Sequence, residues 1–158
     1  MNNIQVKNAY ADWLSKTDYN LFITLNTEVE YTETELAELI SKLFYKIECD
    51  VFGYKNRELY KTKCRVSRVV AIESKYKRTH AHIKVQTLAD WTDAQMLELI
   101  KLDWQQITNT KQKDFLFNAS VIANSDAVSN YIVKDMRLND FDVINLQASF
   151  ISKHSNKQ

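Results

Sequence analysis

Two of the three histidines in the chain stand two residues apart, in Thr79-His80-Ala81-His82-Ile83-Lys84-Val85, and that spacing could hold a metal ion. The stretch reads as a β-strand, whose side chains alternate between faces. His80 and His82 then project to one side, and Ala81, Ile83 and Val85 to the other. A second β-branched run, Arg65 to Glu73, ends just upstream, across the short polar turn Ser74 to Arg78. Antiparallel pairing of the two runs would bring Glu73 alongside the histidines. Two imidazoles, one carboxylate and open coordination positions suit a divalent metal that must also hold a phosphate. A register slip of one residue would turn Glu73 to the opposite face.

The second group with chemistry to offer is Tyr131-Ile132-Val133-Lys134-Asp135, inside Ser125 to Met136, which reads as a short helix opening at a polar cap. On a helix, Lys134 and Asp135 lie three and four residues beyond Tyr131 and share its face, leaving Ile132, Val133 and Met136 to pack. A phenol then sits beside a cation. A lone Tyr-x-x-Lys is more often an ordinary amphipathic helix, and eight tyrosines make the pattern easy to meet. Basic residues flank the histidine run: Lys61, Lys63, Arg65 and Arg68 before it, and Lys75, Lys77 and Arg78 in its turn. Alone they would be a solvated strand edge, but next to a metal site they become candidate phosphate contacts. Tyr76 in the same turn could stack on an unpaired base.

These residues need a scaffold of strands and helices. Tyr19 to Asn26 is aromatic and β-branched and predicts a buried first strand. Thr32 and Glu35 form a capping box, after which Leu36, Leu39, Ile40, Leu43 and Ile47 mark one face of a helix that ends or breaks near Gly53. Asn56 to Lys63 reads as a polar connection. After the hairpin, Thr92 and Gln95 cap a helix carrying Met96, Leu97, Leu99, Ile100 and Trp104. Phe115 to Ile122 predicts another strand, and Asp142 to Ile151 a last one. The order β-α-β-β-α-β-α-β predicts an α+β fold with a ferredoxin-like or RRM-like antiparallel sheet of about five strands and helices packed on it. The residues before Trp13 and after Lys153 are expected to fray.

Composition narrows the function. With 158 residues, 45% of them hydrophobic, one well-packed domain over 1–158 is expected. The net charge of +1 gives little support to indiscriminate polyanion binding and leaves room for a local basic patch. One glycine and no proline exclude a Walker A loop, a GxGxxG turn and a GxSxG elbow, each of which needs several glycines. The chain is therefore not a nucleotide-driven motor by itself. Cys49 and Cys64 form no CxxC pair and read as buried thiols of a cytoplasmic protein. No signal peptide and no apolar run of membrane-spanning length is evident.

The ordered trio of motifs resembles the HUH single-strand endonucleases, specifically the single-tyrosine replication initiators of small rolling-circle replicons. Phe22-Ile23-Thr24-Leu25-Asn26 resembles their first motif, His80-Ala81-His82 the second and Tyr131-Ile132-Val133-Lys134-Asp135 the third, so the likeness spans roughly Tyr19 to Asp135. The small Ala81 between the histidines and the lack of a fused helicase domain depart from the pattern. The resemblance implies that Glu73, His80 and His82 bind Mg²⁺ or Mn²⁺, that Tyr131 is the nucleophile and that Lys134 assists it. The substrate it implies is single-stranded DNA or an origin hairpin, contacted by Lys61, Lys63, Arg65, Lys75, Tyr76, Lys77 and Arg78. A separate helicase would be a partner in a bacterial or archaeal host cell carrying the plasmid or phage.

Two other readings compete. An HUH transposase or relaxase would share the metal site, and a relaxase would place its tyrosine upstream, where Tyr10 and Tyr19 are candidates and His154 a poor third ligand. A non-catalytic RRM-like module would bind nucleic acid by stacking on its sheet.

Overall fold

A computed structural model describes residues 2–74, 78–110, 116–134 and 144–152. The elements run α1 (Asn3–Ser15), β1 (Leu21–Leu25), α2 (Glu33–Phe52), α3 (Tyr54–Leu59), β2 (Arg68–Glu73), β3 (His80–Val85), α4 (Asp93–Ile107), β4 (Phe117–Val121) and α5 (Ser125–Ile132). The class is α+β, as expected, and the four strands form one antiparallel sheet in the order β2-β3-β1-β4.

The strand pleat splits the apolar residues between two cores. Leu21, Ile23 and Leu25 of β1, Val70 and Ile72 of β2, and Ala81, Ile83 and Val85 of β3 share one face. Over them lie Leu36, Ile40, Leu43, Phe44 and Ile47 of α2 and Met96, Ile100 and Trp104 of α4. Both covering helices start where their capping boxes predict, at Thr32 with Glu35 and at Thr92 with Gln95. Truncating a fully buried member such as Ile83 to alanine would cost about 2–5 kcal/mol. The opposite face buries Val69 and Ala71 of β2 against Ala11 and Leu14 of α1, Ile132 of α5, and Tyr19, Val133 and Ile144. The histidine strand therefore has a packed layer on each side.

Four expectations need correction. The segment before Trp13 is not frayed: Asn2 and Gln5 make a third capping box, and α1 packs on α5. Part of the polar connection after Gly53 is the short helix α3, and Gly53 joins it to α2 with a positive φ of 80°. The last helix is shorter than Ser125 to Met136, ending at Ile132; Asp135 and Met136 lie outside the described residues. Among the described residues the expected last strand makes only two isolated bridges, Ala71 with Ile144 and Arg68 with Phe150. Between them Asn145 accepts the Ala148 amide on its side chain (2.9 Å) and the Ser149 amide on its carbonyl (3.1 Å). These local bonds turn the segment away from a continuous ladder. Its first residues, Asp142 and Val143, are outside the described residues, as is Phe115 of the expected fourth strand.

Candidate active site

The register of the β2–β3 hairpin decides whether a carboxylate joins the histidines, and it pairs Glu73 directly with His80. Glu73 Oε2 lies 3.3 Å from His80 Nε2, and Glu73 Oε1 lies 3.6 Å from His82 Nε2. The three side chains can each offer one ligand atom within 4.8 Å of the others. Glu73 Oε1 and His82 Nε2 are both buried without a hydrogen-bond partner. Leaving two such atoms facing each other is costly unless something joins them. A cation would join the imidazole nitrogens to the carboxylate oxygens, so the donor set fits a divalent metal.

Neighbouring groups fix the imidazoles for that task. His80 Nδ1 is 3.0 Å from the carbonyl of Arg78, which can only accept, so the proton sits on Nδ1 and Nε2 turns to Glu73. His82 Nδ1 is 2.9 Å from Thr24 Oγ1 on the adjacent strand. Phe22, also on β1, stacks on the His82 ring at 5.6 Å. Thr24 and Phe22 thus hold the His82 ring in place. Burial pushes the Glu73 carboxyl up, but its bond to His80 and the nearby charge of Lys134 outweigh it and hold the group well below the usual carboxylate range. His80 is raised by its bond to Glu73, against the effect of burial.

Tyr131 lies over this cluster. Its ring meets that of His82 edge-on at 5.0 Å and that of Phe22 at 6.0 Å, while the side chain stays half exposed. Lys134 lies just past the end of α5, in a turn, yet its ammonium sits 3.7 Å from the centre of the Tyr131 ring and 3.6 Å from Glu73 Oε2. The Tyr131–Lys134 proximity expected of a helix is therefore achieved by a turn.

Lys84 is a residue that sequence patterns alone do not flag. It continues the alternation of His80 and His82 on the same face and is fully buried, where an unpaired ammonium would be costly. Its Nζ donates to the Leu14 carbonyl of α1 (2.8 Å) and to Ser125 Oγ (3.1 Å) and Ser129 Oγ (3.3 Å) of α5. One strand thus carries both histidines and the lysine that ties down the tyrosine helix.

The other nominated residues divide. Arg78 stands at the site end of the sheet, exposed, with its guanidinium on the Glu28 carbonyl at 2.8 Å. Lys75, Tyr76 and Lys77 lie outside the described residues. Lys61, Lys63 and Arg65 are not brought to the Glu73–His80–His82 cluster, because they precede the opposite end of β2. Arg68 and Glu73 are five residues apart on that strand, roughly 16 Å, and face opposite sides. Arg65 instead lies over the Phe150 ring at 4.0 Å and near Glu48. Of the upstream tyrosines, Tyr19 is buried in the second core and Tyr10 packs against Trp13; His154 is outside the described residues. Cys49 and Cys64 are free and half-buried rather than fully buried.

No protein-family model matches the chain, and no curated protein or solved structure is detectably similar to it. Among the described residues no helix is long and apolar enough to cross a membrane.

Proposed function

We propose that the chain is a metal-dependent single-strand DNA endonuclease and strand transferase of the HUH class, a single-tyrosine initiator of rolling-circle replication on a plasmid or phage. The observation that carries this reading is the pair of orphaned atoms, Glu73 Oε1 and His82 Nε2, with the Tyr131 ring edge-on to that of His82 at 5.0 Å. We read the order β2-β3-β1-β4, with α2 and α4 on one face, as ferredoxin-like.

Glu73, His80 and His82 would hold Mg²⁺ or Mn²⁺. When bound, such an ion supplies positive charge to offset that of a phosphodiester oxygen. The remaining chemistry belongs to the chain. Tyr131 Oη attacks the phosphorus, forming an O–P bond as the bond to the 3′ oxygen breaks; the phenol proton goes to solvent and the leaving oxygen takes one up. A phenol of pKa about 10 is a poor nucleophile at neutral pH. The Lys134 ammonium, 3.7 Å from the centre of its ring, supplies positive charge beside the attacking group and the phosphate. The phosphotyrosine retains the energy of the broken bond, so a second 3′-hydroxyl can reverse the step and rejoin the strand without ATP. Arg78, exposed at the same end, is suited to the strand's phosphates. A separate helicase would supply the unpaired strand.

A stacking module of the RRM type needs a bare sheet face, and here both faces carry a core. A relaxase needs an accessible upstream tyrosine at the metal, and Tyr19 is 3% exposed.

The test is incubation with a single-stranded DNA library and Mn²⁺ followed by denaturing electrophoresis. A shifted band in the wild type, absent with a chelator and in Tyr131→Phe, is expected. No shifted band, either with the library or with hairpin loops of the chain's own replicon, overturns the reading.

A further inference from the structure

A second buried charge cluster lies on the far face of the sheet, where Arg68 points. Glu48 of α2 is fully buried, and both its oxygens are occupied. Oε1 accepts from Arg68 Nη1 at 2.9 Å and from the Val66 amide at 3.1 Å, and Oε2 accepts from Arg57 Nε at 2.6 Å. Arg65 Nε comes no closer to Oε2 than 3.8 Å and is a buried nitrogen without a hydrogen-bond partner. Three guanidiniums thus surround one carboxylate, and Lys42 adds a further positive charge to the wall of the same cleft, which has a volume of about 360 Å³. Burial pushes Arg65 and Arg68 down, Glu48 pushes them back up, and the charges of neighbouring arginines work against it.

The donors in this cleft are unequally committed. Arg68 is spent: Nε donates to the Ala148 carbonyl at 2.8 Å, Nη1 also donates to the Val66 carbonyl at 2.9 Å, and the guanidinium lies over the Phe44 ring. Arg65 lies over the Phe150 ring, and its Nε has no hydrogen-bond partner, so the guanidinium is pre-oriented with donor capacity left over. A guanidinium fixed in this way is matched to a tetrahedral or planar oxyanion.

We infer that this cleft is an anion site that takes a phosphate group, with Arg65 and Lys42 as its principal donors and Arg57 and Arg68 supplying the field. The phosphate is that of a small molecule such as a nucleotide, or that of a DNA strand lying away from the metal centre. The site is independent of the proposed nuclease activity.

The experiment is calorimetric titration of the full chain with inorganic phosphate, with sodium chloride at matched ionic strength as the control, for wild type and the Lys42→Gln/Arg65→Gln double variant. Both substituted side chains reach the surface, and circular dichroism verifies that the variant is folded. Saturable phosphate binding in the wild type, weakened at least about tenfold in the double variant and unchanged in Tyr131→Phe, is expected. Competition then separates the sources: displacement by a deoxynucleoside monophosphate alone identifies a small-molecule site, and displacement by unphosphorylated oligothymidine identifies a strand site. Wild-type heats no different from the chloride control, or equal phosphate binding in wild type and double variant, would overturn the assignment.

Discussion

The two faces of this sheet each bury a carboxylate among nitrogen-bearing side chains, yet the two clusters are unbalanced in opposite senses. Around Glu48 the carboxylate is fully used and guanidinium donors are left over. Around Glu73 the leftover atoms are a carboxylate oxygen and an imidazole nitrogen, both able to act as lone-pair donors. An excess of hydrogen-bond donors calls for an anion and an excess of lone pairs for a cation. Burial and charge alone would class the two clusters together; counting which atoms remain unmatched separates them.

Substitution at the two carboxylates should pull this contrast apart. Glu48→Gln leaves three guanidiniums without their counter-charge and is expected to destabilise the fold by about 3–5 kcal/mol in a urea melt. Glu73→Gln is expected to leave a folded protein with Mn²⁺ affinity reduced by about 100-fold or more, measured by calorimetry. If the two variants behaved alike, the distinction between a structural and a ligand-binding carboxylate would fail. A smaller effect is expected at Thr24, whose hydroxyl meets His82 Nδ1: Thr24→Val should weaken Mn²⁺ binding by about tenfold with little change in melting temperature.

The pH dependence of stability sharpens the comparison further. Glu73 is lowered in the fold, so its contribution is present above the unfolded carboxylate pKa and lost as pH falls through the folded value. His80 is raised, so its contribution is present below the unfolded imidazole pKa and lost as pH rises through the folded value. Metal-free protein should therefore gain most from this pair between about pH 4.3 and about 6.5. With Mn²⁺ the histidine side reverses, because His80 Nε2 must shed its proton to bind metal. The rise in melting temperature caused by Mn²⁺ should grow with pH across the same range.

Much of the site is legible in the sequence because it rests on short-range rules. Strand alternation places His80 and His82 on one face, and a five-residue turn is enough to suggest Glu73 beside them, although only the register decides it. Capping boxes locate α2 and α4. What the sequence hides depends on distant partners. Arg65 reads as part of a basic patch because its neighbours in sequence are basic; Phe150, distant in sequence, and the Glu48 carboxylate nearby position it without a hydrogen bond. Lys84 carries no signal of its own, and only the arrival of α1 and α5 makes it a buried anchor. The length of α5 is overestimated because Tyr131 and Lys134 satisfy helical spacing, whereas a turn after Ile132 achieves the same proximity.

The central claim is that Tyr131 becomes covalently joined to a DNA strand beside the Glu73–His80–His82 cluster. The most direct test is tandem mass spectrometry of the denatured, protease-digested product formed with single-stranded DNA and Mn²⁺. The account predicts a nucleotide attached through a 5′-phosphate to the Tyr131 peptide, and none on Tyr10 or Tyr19. A link at another tyrosine, a 3′-phosphate link, or cleaved DNA with no protein adduct would contradict it.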